Sequence, residues 1–263
     1  MKTLAKIYTA LIFIFLYAPI AVLIAFSFNE SKSRVVWSGF TLKWYERLFQ
    51  NEQILSALSN TLIIAVISAI FATILGTFAA IGINSLNKWV RRIVMNITNL
   101  PMANPEIVTG VSLMLLFVFI YNRFDILKPG IITLILAHTT FCLPYVILSV
   151  MPKIRQMDQN LFEAAQDLGC PPVRAFFKVV LPEIMPGIIT GFMMSFTLSI
   201  DDFVISYFTS GTTQTLPIAI YSMTRQIVSP EINALSTILF ITVLFLLIAI
   251  NLRQMKEQKG VIK

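Results

Sequence analysis

Three carboxylates and one imidazole stand where so apolar a chain has least reason to keep them. Glu106, Asp201 and Asp202 fall in stretches otherwise free of charge, and His138 is the single histidine. An Asp in the middle of a membrane helix costs at least about 2.5–3.5 kcal/mol on insertion scales, so such a residue commonly marks a pathway. The chemistry these groups offer is attraction of a cation. Enzymatic readings fit poorly. A paired-Asp protease needs its carboxylates to face one another across a site, which adjacent residues on one helix cannot do, and no Gly-x-Gly-Asp motif is present. One histidine excludes the H-E-x-x-H zinc motif and gives poor support to a serine triad. Cys142 and Cys170 are too few and too far apart for a metal cluster or a disulfide framework.

Each polar group also has a purely structural reading. Asp201 and Asp202 lie about 100° apart if helical, so one can line a passage while the other accepts a structural hydrogen bond. The residues alone do not say which. Glu106 follows Asn104-Pro105 at a helix break, where it either lines the route or caps the next segment. His138 reads as a core histidine donating to a carbonyl. Ser199 either offers its hydroxyl to the route or bonds back to its own helix.

The elements that carry these residues follow from composition. Hydrophobic residues make up 57% of the 263, charged residues 13%, and mean hydropathy is +0.80. Soluble domains carry roughly 25% charge, so this chain could not cover its surface in water. A soluble enzyme and a disordered or fibrous protein are both excluded. About 20 apolar residues cross a bilayer as a helix, and six such stretches are present: approximately 7–29, 61–83, 93–121, 131–150, 186–208 and 232–251. The expected fold is an all-α integral membrane bundle forming one domain over 1–263. Counting helical rise inward puts Asp201 at about 22 Å from one membrane edge and Glu106 and His138 near about 20 Å. Lys2 and Lys6 precede the first stretch as they would a signal peptide, but its apolar run exceeds the roughly 7–15 residues of a cleaved core.

Six spans put both termini on one side, and the basic residues say which. Thirteen of the 20 fall on the face of the termini, including Lys88, Arg91, Arg92, Lys153 and Arg155, against seven opposite. Such an excess marks the cytoplasmic side. The net charge of +7 is therefore an orientation signal, and nucleic acid is not an expected partner. On the outer side, Trp37 to Phe49 is aromatic and basic, with Leu42, Tyr45, Leu48 and Phe49 near helical spacing. It is expected along the membrane interface, as an aromatic anchor.

The cytoplasmic loop 151–185 is the other one long enough to hold structure. Asn160 and Glu163 have the spacing of a reciprocal helix start, Gly169 suits a left-handed C-terminal residue, and Pro171-Pro172 stops continuation. Two short helices joined by a turn are expected, the second ending near Val180. Leu161, Phe162, Leu168, Phe176 and Phe177 supply an apolar face for a partner.

Glu163-Ala164-Ala165, then Gly169, Val179 and Leu181-Pro182 resemble the EAA loop of bacterial ABC importer permeases. Ile is more usual there at the Val179 position. The resemblance implies the six-helix importer-permease (MetI-like) fold. It implies that Glu163, Ala164, Ala165, Gly169, Leu181 and Pro182 couple to a cytosolic ATPase, with Glu163 making a polar contact and Gly169 permitting the turn. Further stretches resemble permeases of spermidine/putrescine importers: Trp37–Tyr45, His138–Pro144, Ser195–Asp202, Ile220–Met223 and Val228–Leu235. The route residues this implies are Asp201, Asp202, Glu106, Ser199 and Trp44, with Asp at the Glu106 position in the family. Implied partners are a homologous second permease, two cytosolic ATPase subunits and an extracytoplasmic polyamine-binding protein, besides the lipid bilayer. The chain itself would bind no cofactor, ATP and Mg²⁺ belonging to the ATPases. Polyamines are protonated near neutrality, as Lys is, and suit carboxylates and aromatic faces. An ion-coupled secondary transporter would also suit broken spans and buried carboxylates, yet it leaves the EAA pattern unexplained.

Overall fold

The computed structural model describes residues 2–31, 36–158, 160–225, 230–242 and 244–245. They fall into two compact units, 1–55 with 220–263, and 56–219. Among the described residues regular structure is helical, apart from one isolated bridge between Asn29 and Phe40.

The first unit holds α1 (Lys2–Ser27), α2 (Lys43–Gln50) and α12 (Glu231–Thr242). From Lys6 to Ser27, α1 is strongly apolar and almost wholly exposed, with Phe15 at 82%. Such a surface is stable only against lipid or another apolar partner. The connection to α2 is tight. Glu30 N–H donates to the Gly39 carbonyl and Thr41 N–H to that of Phe28, while Phe28 stacks on Phe40 at 5.3 Å. The expected sixth span, 232–251, is entered by α12, and its end from 246 onward lies outside the described residues.

The second unit takes most of α3 (Glu52–Ser85), then α4 (Lys88–Ala103), α5 (Glu106–Phe124), α6 (Ile131–Gln156), α7 (Asn160–Asp167), α8 (Pro172–Ala175), α9 (Leu181–Asp201), α10 (Val204–Thr209) and the start of α11 (Leu216–Arg225). Its centre is the packing of α9 on α6. Along α9, Gly187, Gly191, Ser195 and Ser199 recur every fourth residue and all are buried. A Cβ on Gly187 would come within 2.9 Å of the Ser149 carbonyl oxygen, and one on Gly191 within 3.3 Å of Val146 Cα. From the other side, a Cβ on Gly76 of α3 would lie 2.7 Å from Val146 Cβ. Small residues at this spacing let helix backbones approach where lipid offers no hydrophobic drive between them.

Among the described residues, five helical stretches are long and apolar enough to cross a membrane: Lys6–Ser27, Glu52–Ser85, Glu106–Phe124, Ile131–Gln156 and Pro172–Asp201. Three of the expected elements differ in the structure. The third stretch is not one interrupted span but two helices, ending and restarting at Asn104-Pro105, whereas Pro101 lies inside α4. Asn104 is extended at ψ 145°, as the residue before proline prefers. The fifth is not continuous over 186–208. It begins earlier, at Pro172, and ends at Asp201. The loop's second short helix likewise does not stop near Val180. It runs on through a π-helical turn, Phe176–Val180, into α9, and Leu181 N–H donates to the Phe176 carbonyl. Pro182 has no N–H, and its ring would clash with the Lys178 carbonyl in a regular α-helix. The wider turn relieves both problems.

Candidate functional site

Asp202 is where α9 gives way. Its backbone is extended (ψ 115°), and its carboxylate turns forward over the next helix. Oδ1 accepts the Ile205 N–H at 3.3 Å and Oδ2 the Ser206 N–H at 2.8 Å. These are N-terminal donors of α10 without intrahelical partners, and Asp is among the best residues to satisfy them. Asp202 is 7% exposed.

His138 ties this break to α6. Its Nδ1 lies 2.6 Å from Ser199 Oγ, its Nε2 2.9 Å from Ser206 Oγ, and the same Nε2 3.5 Å from Asp202 Oδ2. It is a core histidine as expected, but hydroxyls rather than a carbonyl serve both ring nitrogens. Ser199 correspondingly bonds to His138. The imidazole thus holds α6, the end of α9 and the start of α10 at one point.

Asp201 has the opposite surroundings. It closes α9 and is exposed. Helix ends leave carbonyls without intrahelical partners, and the macrodipole is negative there. A carboxylate at that end adds charge of the same sign, an arrangement that favours a cation. Asp202 has left the helix, so the two carboxylates are not 100° apart on one helix as expected. Glu106 opens α5 and is exposed. One turn on, Gly110 packs so closely on α10 that a Cβ would meet Phe208 at 3.0 Å.

Trp44 belongs to the first unit. It is 2% exposed, its Nε1–H donates to the Asn29 carbonyl at 2.7 Å, and the Arg47 guanidinium stands 5.4 Å over its ring. Tyr45 shares a hydrogen bond of 2.7 Å with Ser27 Oγ. Both aromatics anchor the connection between α1 and α2. Phe49 and Leu42 remain exposed.

The loop 151–185 forms its two helices with different ends from those expected. Asp158 Oδ1, not Asn160, accepts the leading N–H, that of Asn160, at 3.0 Å. Gly169 adopts φ +81°, with Gly169 N–H on the Gln166 carbonyl and Cys170 N–H on that of Ala165. That pair of bonds is the Schellman closure, and it requires a residue at ease in the left-handed region. Glu163 is exposed on α7. The five apolar residues divide: Phe162 and Phe176 pack on the core, while Leu161, Leu168 and Phe177 stay exposed, Leu168 at 89%.

Residues 72–257 match the family described as binding-protein-dependent transport system inner membrane component. The chain belongs to that family. It is 39% identical over 250 residues to the spermidine/putrescine transport system permease protein PotC of Escherichia coli K12, covering 95% of this chain and 93% of the relative. To the putrescine transport system permease protein PotI of the same organism it is 42% identical over 231 residues, covering 86% and 82%. The fold matches a chain of a bacterial ABC transporter that imports alginate, with TM-score 0.72, 21% identity and coverage of 97% and 95%. As a member of this family the chain is a multi-pass inner-membrane transport subunit and not an enzyme.

Ser206 escaped the reading of the sequence, as did the capping role of Asp158. The available signal was Asp202 itself. An Asp ahead of an apolar run is a helix-start mark, but inside a presumed span it reads as an interruption.

Proposed function

We propose that this permease forms half of the translocation route for polyamines in an ATP-driven ABC importer, with Asp201 and Glu106 meeting the cation and Asp202 and Ser199 holding the break that presents Asp201. The observation that carries this is the division of labour at residues 201 and 202: one carboxylate is absorbed by helix-capping bonds, while the other is exposed at a helix end of negative potential. The names of the relatives support polyamine as the cation. Trp44 contributes as an anchor of the outer connection.

Glu163, Ala164 and Ala165 on α7, Gly169 in the turn, and Leu181 and Pro182 at the π turn would couple the chain to ATPase subunits. From Pro172 to Asp201 the helix is continuous over 30 residues, about 45 Å of rise. A push on α7 would therefore reach the carboxylate along one rod. Release requires that the cation bind the outward and inward states with different affinity. Both termini would be cytoplasmic, on the strength of the basic-residue excess. A homologous second permease would complete the route, two cytosolic ATPases would carry ATP and Mg²⁺, an extracytoplasmic binding protein would deliver substrate, and this chain would bind no cofactor of its own.

Uptake of labelled spermidine and putrescine by the reconstituted complex tests the reading. Asp201→Asn should lower uptake by on the order of tenfold or more, given the size of a close charge–charge attraction at a partly wet site, with the complex still assembled. Undiminished uptake of both amines by that variant would overturn the route.

A further inference from the structure

Two neighbouring hollows open where α4 meets the basic end of α6. One, of about 370 Å³, is lined by Lys88, Arg91, Arg92, Met95, Asn96 and Arg155. The other, of about 340 Å³, is lined by Met95, Leu148, Met151, Pro152, Arg155 and Gln156. Met95 and Arg155 stand in both, so a basic hollow and a largely apolar one share a wall.

No carboxylate lines either hollow, and among the described residues none of the four cations forms an ion pair. Arg91 uses one Nη1–H on the Asn84 carbonyl at 3.3 Å, and Lys88, Arg92 and Arg155 are exposed. An orientation signal requires only that basic residues lie near the span ends on one side. It does not require four of them around one hollow, nor an apolar hollow next to it. Trp89, beside Lys88, is 72% exposed, as suits an indole at headgroup level.

We infer that α4 and the end of α6 bind an anionic phospholipid. Its phosphate would sit among Lys88, Arg91, Arg92 and Arg155, with Asn96 able to donate a hydrogen bond, and the start of an acyl chain would lie along Met95, Leu148, Met151 and Pro152. Basic pockets between membrane helices recognise lipid headgroups in this way. A free phosphate would use the basic hollow and leave the apolar one idle, which is why the lipid is the better occupant. The site is independent of the polyamine reading and involves none of the residues assigned to it.

The experiment uses the whole permease–ATPase complex, exchanged into phosphatidylcholine nanodiscs containing labelled phosphatidylglycerol. Arg92→Gln with Arg155→Gln is compared with Arg174→Gln and Lys178→Gln, a loss of equal charge from the loop beside α9. All four side chains are exposed, so neither pair of substitutions threatens folding. Phosphatidylglycerol should be retained over phosphatidylcholine by the natural chain and the second pair, and about thirtyfold more weakly by the first, the effect of two basic residues at an anionic surface. Inorganic phosphate should not displace it. Equal retention by the two pairs would overturn the site, and so would no preference for phosphatidylglycerol in the natural complex. Displacement by inorganic phosphate would replace the lipid with a free-phosphate site.

Discussion

His138 is the residue whose removal should be felt most widely, since three helices meet at its ring. His138→Phe keeps an aromatic ring, somewhat larger, and deletes both hydrogen bonds, so the Ser199 and Ser206 hydroxyls lose their imidazole partner. A buried polar group left alone costs about 1–3 kcal/mol, although interhelical bonds within membranes average nearer about 0.6 kcal/mol. A loss of about 1–3 kcal/mol is therefore expected, read as a lower unfolding midpoint in detergent. Replacing the serines as well, with Ser199→Ala and Ser206→Ala, should recover part of it. Asp202→Asn keeps one carbonyl acceptor for the α10 donors, so it should cost less uptake than Asp201→Asn in the same transport assay. If the two substitutions impaired uptake equally, the division between capping and route would be wrong. The presence of three odd carboxylates was plain from their setting in apolar sequence. Their roles were not, because whether Asp202 belongs to α9 or caps α10 depends on His138 and Ser206 arriving from distant or later positions.

Elements were legible where local chemistry is decisive. The apolar runs of α1, α3 and α6, the Gly169 turn and the stop at Pro171 all follow from residues close in sequence. The π turn at Phe176–Val180 was not legible, since Leu181-Pro182 reads equally well as the end of a loop helix. Its consequence is geometric. Pro182→Ala should let the turn relax to α-helix with no residue lost, which would turn α7 and α8 by up to about 100° relative to α9. Stimulation of ATPase activity by substrate should then fall sharply while substrate binding persists, both measurable on the reconstituted complex. Glu163→Ala should impair the same stimulation without the rotation. The contact of α9 with α6 makes a separate claim. Gly191→Leu would force bulk against Val146 at a position where even a Cβ is tight, and overpacking of that kind costs about 1–3 kcal/mol. A thermal midpoint unchanged by Gly191→Leu would show that the helices separate more easily than their spacing implies.

For the whole molecule, membrane residence was legible from charge and hydropathy before any helix was placed, because a helix that spans a bilayer must be long and apolar. The division of the third span, the early start of the fifth and the capping at Asp202 needed three dimensions, since proline and Asp act through the partners that the fold brings to them. Asp201 carries the last consequence. A carboxylate exposed on a membrane helix is tolerable when a cation or a partner's polar surface faces it, and costly against hydrocarbon. On the proposed pairing with a second permease, a copy of this chain synthesised alone would present that charge to lipid, a defect that pairing would remove. Cells that make the two subunits unequally should clear the surplus faster than the complex, and Asp201→Leu should lengthen the orphan's lifetime in a pulse–chase experiment.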